Sequence, residues 1–89
     1  MFFVYILYSQ KDKGLYVGHT NNLISRLKKH NDGLVQSTKH RRPLVLLYKE
    51  PHHTRAIAMK REKYFKNLYS ARFKQKLIQE YLRKHKNLK

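Results

Sequence analysis

The stretch that most limits the fold of this chain is FFVYILYS, residues 2–9. Side chains alternate across a strand with period two, and here both sets are apolar or aromatic. Such a strand must be covered on both faces, so it reads as the central strand of a small sheet. QKDK and Gly14 follow as turn chemistry, and LYVGH, residues 15–19, supplies the partner strand of a hairpin. A loop from Gln10 to Lys13 pairs Ser9 with Gly14 and Tyr5 with Gly18. In that register Tyr5, Leu7, Tyr16 and Gly18 share one face.

Beyond the hairpin, Thr20 is expected to cap a helix over Asn21–His30, stopped by Asn31-Asp32-Gly33. Leu23, Ile24 and Leu27 form its apolar stripe, while Asn22, Arg26 and His30 step along beside that stripe at i, i+4 and i+8. A basic connector, LVQSTKHRR, ends at Pro43 before a third strand over Leu44–Glu50, which Pro51 is expected to close. From Thr54 a second helix is expected to turn Ile57, Tyr64, Phe65 and Leu68 inward. Glu62 falls about 40° past Ala58, at the edge of that stripe. A last helix over residues 71–84 uses Phe73, Leu77, Ile78, Tyr81 and Leu82, and residues 85–89 read as a frayed basic tail. Tyr8, Tyr48, Tyr64 and Tyr81 are assigned to the core or its edges. The order ββαβαα describes one α+β domain over residues 1–84, a three-stranded sheet with helices packed on it.

Charge narrows the function. Twenty-one Lys and Arg face five Asp and Glu, a formal +16 on 89 residues. Such a field recruits a polyanion, and nucleic acid is preferred over a membrane because no basic helix carries a broad apolar face. No cysteine is present, which excludes disulfides and thiolate metal sites and makes the cytoplasm, with nucleoid association, the expected compartment. The apolar N-terminal run lacks the features of a signal peptide, and no stretch has the length of a membrane span.

Cutting a phosphodiester requires activation of water, cations against the charge gathering on phosphorus, and stabilisation of the leaving oxygen. Arginine presents a planar fork to phosphate oxygens, and Mg²⁺ needs only one or two carboxylates when water and phosphate complete its shell. Tyrosine ordinarily titrates near 10, and surrounding positive charge is expected to lower that value. Of the acids, Asp12 lies in a turn, Asp32 at a helix stop, Glu50 at a strand end and Glu80 in the last helix. Only Glu62 is mid-helix at the border of an apolar face.

FVYIL at 3–7, YVG at 16–18, NLISRLKKH at 22–30 and REKYFK at 61–66 resemble, in order and spacing, the motifs of the GIY-YIG endonucleases. The likeness spans nearly the whole chain and is strongest to small single-domain bacterial members, in which segments similar to STKHRRP recur. Phe3 stands where the family's first motif carries glycine. The resemblance implies a ββαβα core with a three-stranded antiparallel sheet, here extended by a C-terminal helix. It also implies phosphodiester hydrolysis with one divalent ion, Mg²⁺ or Mn²⁺. Carried over by position, Tyr16 would act as general base or orient the attacking water, with Tyr5 beside it. Arg26 would stabilise the transition state, His30 would assist proton transfer, and Glu62 would bind the metal.

His19, Lys29, Lys39, His40, Arg41, Arg42 and Lys66 are the expected nucleic-acid contacts. The expected function is a metal-dependent DNA endonuclease, with DNA repair as its setting and a separate protein as a source of targeting. The alternative is a non-catalytic basic module that keeps the fold and binds DNA or RNA.

Overall fold

The computed structural model describes residues 1–85. Its elements run β1 (Phe2–Ser9), β2 (Leu15–Thr20), α1 (Leu23–Asn31), β3 (Leu44–His52), α2 (Arg55–Lys66), a 3₁₀ turn (Leu68–Ser70) and α3 (Ala71–His85). The strands form one antiparallel sheet in the order β2-β1-β3, so the doubly apolar β1 is central. The expected architecture holds. α3 continues through His85, and residues 86–89 of the expected tail lie outside the described residues.

The two faces of β1 feed two separate cores. Val4 and Ile6, with Val17, pack against Ala58 and Phe65 of α2, with Leu77 of α3 at the margin. Tyr5 and Leu7, with Leu44, pack against Leu23 and Leu27 of α1 and against Tyr16 and Leu46. A bulge in β3 serves both cores: Ile6 faces Tyr48 while Leu7 faces Leu46, leaving Leu47 as the extra residue. That insertion lets Leu46 join the α1 side and Tyr48 the α2 side, which strict alternation would forbid.

Three local expectations are corrected. Asn22, not Thr20, caps α1, its side chain accepting from the Ser25 amide. β2 stays paired through Thr20, opposite Phe3, so the helix cannot begin sooner. β3 also continues past Pro51, which pairs with Phe3. An edge strand tolerates a residue with no N–H to donate.

The third correction concerns the inward face of α2. Ala58 and Phe65 are buried, whereas Ile57 is 47% exposed, Tyr64 40% and Leu68 86%. Asn67 adopts an extended conformation and ends the helix, so Leu68 enters the 3₁₀ turn instead of continuing the stripe. The rotation of α2 is set by Arg61, whose Nε and Nη2 donate to the two oxygens of Glu50 on β3. The same guanidinium lies over the rings of Tyr64 and Phe65, while Phe65 meets Tyr48 and Phe73 in an aromatic cluster.

Phe65→Ala should therefore cost about 3–5 kcal/mol of unfolding free energy in a urea titration. Leu68→Ala should stay within about 0.5 kcal/mol of the parent. A loss in Leu68→Ala as large as that in Phe65→Ala would show that the helix is rotated as the apolar pattern alone suggests.

Candidate active site

The hairpin register brings the tyrosines together. Tyr5 pairs with Gly18 and Leu7 with Tyr16, so the expected shared face is present. The ring centroids of Tyr5 and Tyr16 are 6.3 Å apart. A Cβ on Gly18 would stand 2.6 Å from the Tyr5 hydroxyl oxygen and 2.8 Å from Cζ. Glycine is thus what allows the end of the Tyr5 ring to cross against β2.

α1 lies over this face on Leu23 and Leu27, and its flank carries Arg26 and His30 one turn apart. His30 is completely buried. Its Nε2 is 2.9 Å from the Tyr5 hydroxyl and its Nδ1 is 2.8 Å from Thr38 Oγ1. Its ring meets that of Tyr16 edge-on. Thr38, also fully buried, belongs to the connector between α1 and β3. Sequence reasoning passed over it, because it lies in a connector beside Ser37 and has no periodic signal.

The affinity of Arg26 for its proton is raised, chiefly by the Tyr5 hydroxyl and less by Tyr16. The Arg26 Nε is buried with no hydrogen-bond partner. A buried N–H in that state typically costs about 1–3 kcal/mol, so it stands ready for an acceptor. Beside it Thr20, Asn21, Asn22, Ser25 and Lys29 complete the lining of an open hollow of about 230 Å³.

Burial pushes the Tyr5 pKa up, outweighing the Arg26 hydrogen bond that pulls it down. The expectation that positive charge makes a phenolate thus fails at Tyr5, because desolvation is the larger effect. Burial, then the charge of Arg26, lowers His30 to about 4. Both groups are neutral at neutral pH.

Glu62 approaches from the other face of the sheet. Alternation turns His19 away from Tyr16 and Gly18 toward α2, where its Nδ1 is 3.1 Å from Glu62 Oε1. Lys66 Nζ is 3.4 Å from Oε2. Because β2 is an edge strand, the two halves meet around its free edge, and the Glu62 charge helps to raise the Tyr5 pKa. Lys66 also borders a hollow of about 300 Å³ with Tyr16, Phe65 and Lys74.

The donor set suits one kind of metal. No group of three His, Cys, Asp or Glu that could hold an ion is present among the described residues. A single carboxylate fits a hard ion that keeps waters and takes phosphate oxygens, as Mg²⁺ does, and does not fit a protein-enclosed Zn²⁺ or Ca²⁺.

The remaining cations divide. Lys39, His40 and Arg42 line a hollow of about 430 Å³ with Lys11, which the sequence reading missed, and with Asn31 and Pro43. Arg41 is committed elsewhere: its Nε and Nη2 donate to Asp12, and Nη2 also to the Leu15 carbonyl. It fastens the β1–β2 turn, and holds the Asp12 carboxyl down at about 2. His19 likewise serves first as the partner of Glu62.

Paired tyrosines on a hairpin, an arginine on the helix that follows and a glutamate on a later helix stand in the order that the resemblance to one nuclease family implied. Residues 1–77 match the GIY-YIG catalytic domain, and the chain belongs to that family. A UPF0213 protein of Bacillus licheniformis is 44% identical over 79 residues, 88% of this chain and 79% of that one. UPF0213 proteins of Staphylococcus haemolyticus and Staphylococcus aureus are 42% and 40% identical, again over 88% of this chain and over 94% of theirs. No solved structure matches the chain at a significant level.

Gly18→Ala should displace the Tyr5 ring and cost about 1–3 kcal/mol in urea unfolding. His30 makes a second, pH-dependent prediction. Unfolded, it binds a proton near 6.5; folded, only near 4. Between these values the unfolded chain holds the extra proton, so stability is full above pH 6.5 and falls as pH drops toward 4. His30→Gln should flatten that fall in unfolding curves taken across the window. An unchanged slope would mean that His30 titrates normally in the folded protein.

Proposed function

We propose that the chain is a metal-dependent endonuclease that hydrolyses phosphodiester bonds in DNA. The observation that carries this reading is Arg26, a guanidinium with an unpartnered buried Nε, set beside two tyrosine hydroxyls and an open hollow. Burial of a donor without a partner is uncommon in a packed interior, and here it coincides with two tyrosines and an open hollow.

In this reading Arg26 takes the scissile phosphate with its fork and stabilises the charge that gathers on phosphorus. Tyr16, only partly buried, orients the attacking water or takes its proton. Tyr5, neutral and enclosed, holds Arg26 from behind, and His30 holds Tyr5. Glu62 would hold one Mg²⁺ or Mn²⁺, which when bound supplies positive charge to a phosphate oxygen and to the leaving oxygen. His19 keeps the carboxylate aimed at the strand edge, and half-exposed Lys66 can leave it for a phosphate. Lys29 extends the Arg26 hollow, while Lys11, Lys39, His40 and Arg42 contact the backbone further along.

One observation favours the non-catalytic binding module: Glu62 already has two partners, His19 and Lys66. Cleavage decides between the two. Labelled single-stranded, duplex, flap and branched DNA should be cut only with Mg²⁺ or Mn²⁺. Glu62→Gln and Arg26→Ala should each lower the rate by about 100-fold or more while most DNA binding survives. DNA that is retarded but uncut in both metals would instead establish the binding module.

A further inference from the structure

The Arg26 hollow lies at the start of α1, and the hollow of about 430 Å³ lies at its end, where Asn31 is the last helical residue. The walls of this second hollow are fastened to one another. The Asn31 side chain exchanges two hydrogen bonds with the Leu44 backbone, at 3.0 and 3.1 Å. The Gln10 amide donates to the Pro43 carbonyl at 3.0 Å, and Arg41 grips Asp12, so the turn that carries Lys11 is tied to the connector. A fixed frame thus surrounds a space lined by Lys11, Lys39, His40 and Arg42.

Arg42 is itself held within that frame. Its Nε donates to the Lys39 carbonyl at 2.9 Å, which anchors one corner of the guanidinium. The rest of the group lies across the space that a Cβ on residue 33 would fill: that point is 2.8 Å from Nη1, 2.9 Å from Cζ and 3.1 Å from Nη2. Gly33 is the bed of the fork, and its φ of +79° is a backbone state that glycine adopts freely. Among the described residues no ion pair engages Arg42, Lys11, Lys39 or His40. Of the five acids, Asp12 is paired with Arg41, Asp32 with Lys28, Glu50 with Arg61, and Glu62 with His19 and Lys66. Glu80 lines hollows on α3 instead. No side-chain acid is left over for this hollow.

We propose that the hollow is a second phosphate site, in which the Arg42 fork, preset by Gly33 and the Lys39 carbonyl, holds a phosphate group. Lys11, Lys39 and His40 add charge around it. A planar fork matches two phosphate oxygens, and a guanidinium that is already fixed loses little freedom on binding. The group belongs either to the interior of a bound strand or to its phosphorylated end, which offer the same oxygens. That nucleic acid brings the phosphate rests on the reading above; the anion site itself does not rest on cleavage.

The test begins with inorganic phosphate, titrated into ¹⁵N-labelled protein against sodium chloride of equal ionic strength. Phosphate should shift the Gly33 amide and Arg42 Nε signals saturably, and chloride should not. Arg42→Ala should abolish the response at Gly33. Gly33→Asn, which tolerates a positive φ but sets a Cβ where the fork lies, should abolish the response at Arg42. Lys60→Ala, which removes the same charge from the exposed side of α2, should leave both signals responsive. Binding of labelled oligonucleotides without divalent metal gives the second readout. Arg42→Ala should weaken it roughly tenfold, and Arg42→Lys, which keeps the charge without the fork, should fall nearer to Arg42→Ala than to the parent. Equal losses with and without a terminal phosphate identify an interior phosphate as the ligand. A loss confined to the end-phosphorylated oligonucleotide identifies a terminal one. Absence of a saturable shift at Gly33, or a loss in Lys60→Ala as large as in Arg42→Ala, overturns the proposal. Arg42→Lys binding as tightly as the parent overturns it as well, whether or not Gly33→Asn folds. Binding that depends on Arg42 in a protein that cuts no DNA would refute the nuclease reading alone.

Discussion

The rest of the structure depends on the pairing of Tyr5 with Gly18 across the hairpin. Because strand side chains alternate, this single register decides which residues of β1 and β2 look at α1 and which look at α2. A slip of one residue would send Tyr5 into the aliphatic core and bring Val4 against Arg26. The same pair explains the glycine. Tyr5 leans over β2 so closely that any side chain at position 18 would occupy the space of its hydroxyl. Register, ring and glycine are one solution, and the polar groups of α1 are built onto it.

A second balance sets the chemistry. On a chain of formal charge +16, the simple expectation is that every acid in the site, tyrosine included, ionises more easily. At Tyr5 the opposite holds, because removal from water disfavours the phenolate more than Arg26 favours it. His30 is driven the same way by burial and by the same arginine, and stays neutral. The enclosed half of the site is therefore a set of uncharged hydrogen-bonding groups behind one fixed cation. A structure of that kind holds a phosphate oxygen without reorganising, which is what electrostatic stabilisation of a transition state requires.

Much of this was legible in the sequence, and the pattern of success has physical causes. The doubly apolar β1, the length of the turn and the strict period of two fixed the hairpin register from residues alone. The position of Arg26 and His30 beside Leu23 and Leu27 followed from helical geometry, but Ile24, expected in the same stripe, is 85% exposed. What escaped was whatever depends on contacts distant in the chain. The inward face of α2 was misjudged because Ile57, Tyr64 and Leu68 are more apolar than Ala58. In the fold, the Arg61–Glu50 fork and the fit of a small Ala58 against the sheet decide the rotation. Arg41 looked like one more cation in a basic run, yet Asp12, 29 residues away, claims it. Thr38 had no periodic signal, since it lies in a connector and matters only through His30.

The same α2 rotation links the two halves of the site. With Arg61 tied to β3, the next residue stands about 100° round the helix and faces β2. That residue is Glu62, and His19 meets it from the strand. Glu50 is thus the anchor of α2 on β3, and Arg61 is the other end of that anchor. β2, whose outer edge is unpaired in the sheet, then stands between a carboxylate on one face and an arginine with two tyrosines on the other. A group that bridges them must carry negative oxygens toward Arg26 while sharing a cation with Glu62. A backbone phosphate with a hard divalent ion has both properties, and a purely anionic ligand has only the first. Charge alone would therefore account for binding on this surface, but only the carboxylate across the edge gives a reason for a metal-assisted reaction there.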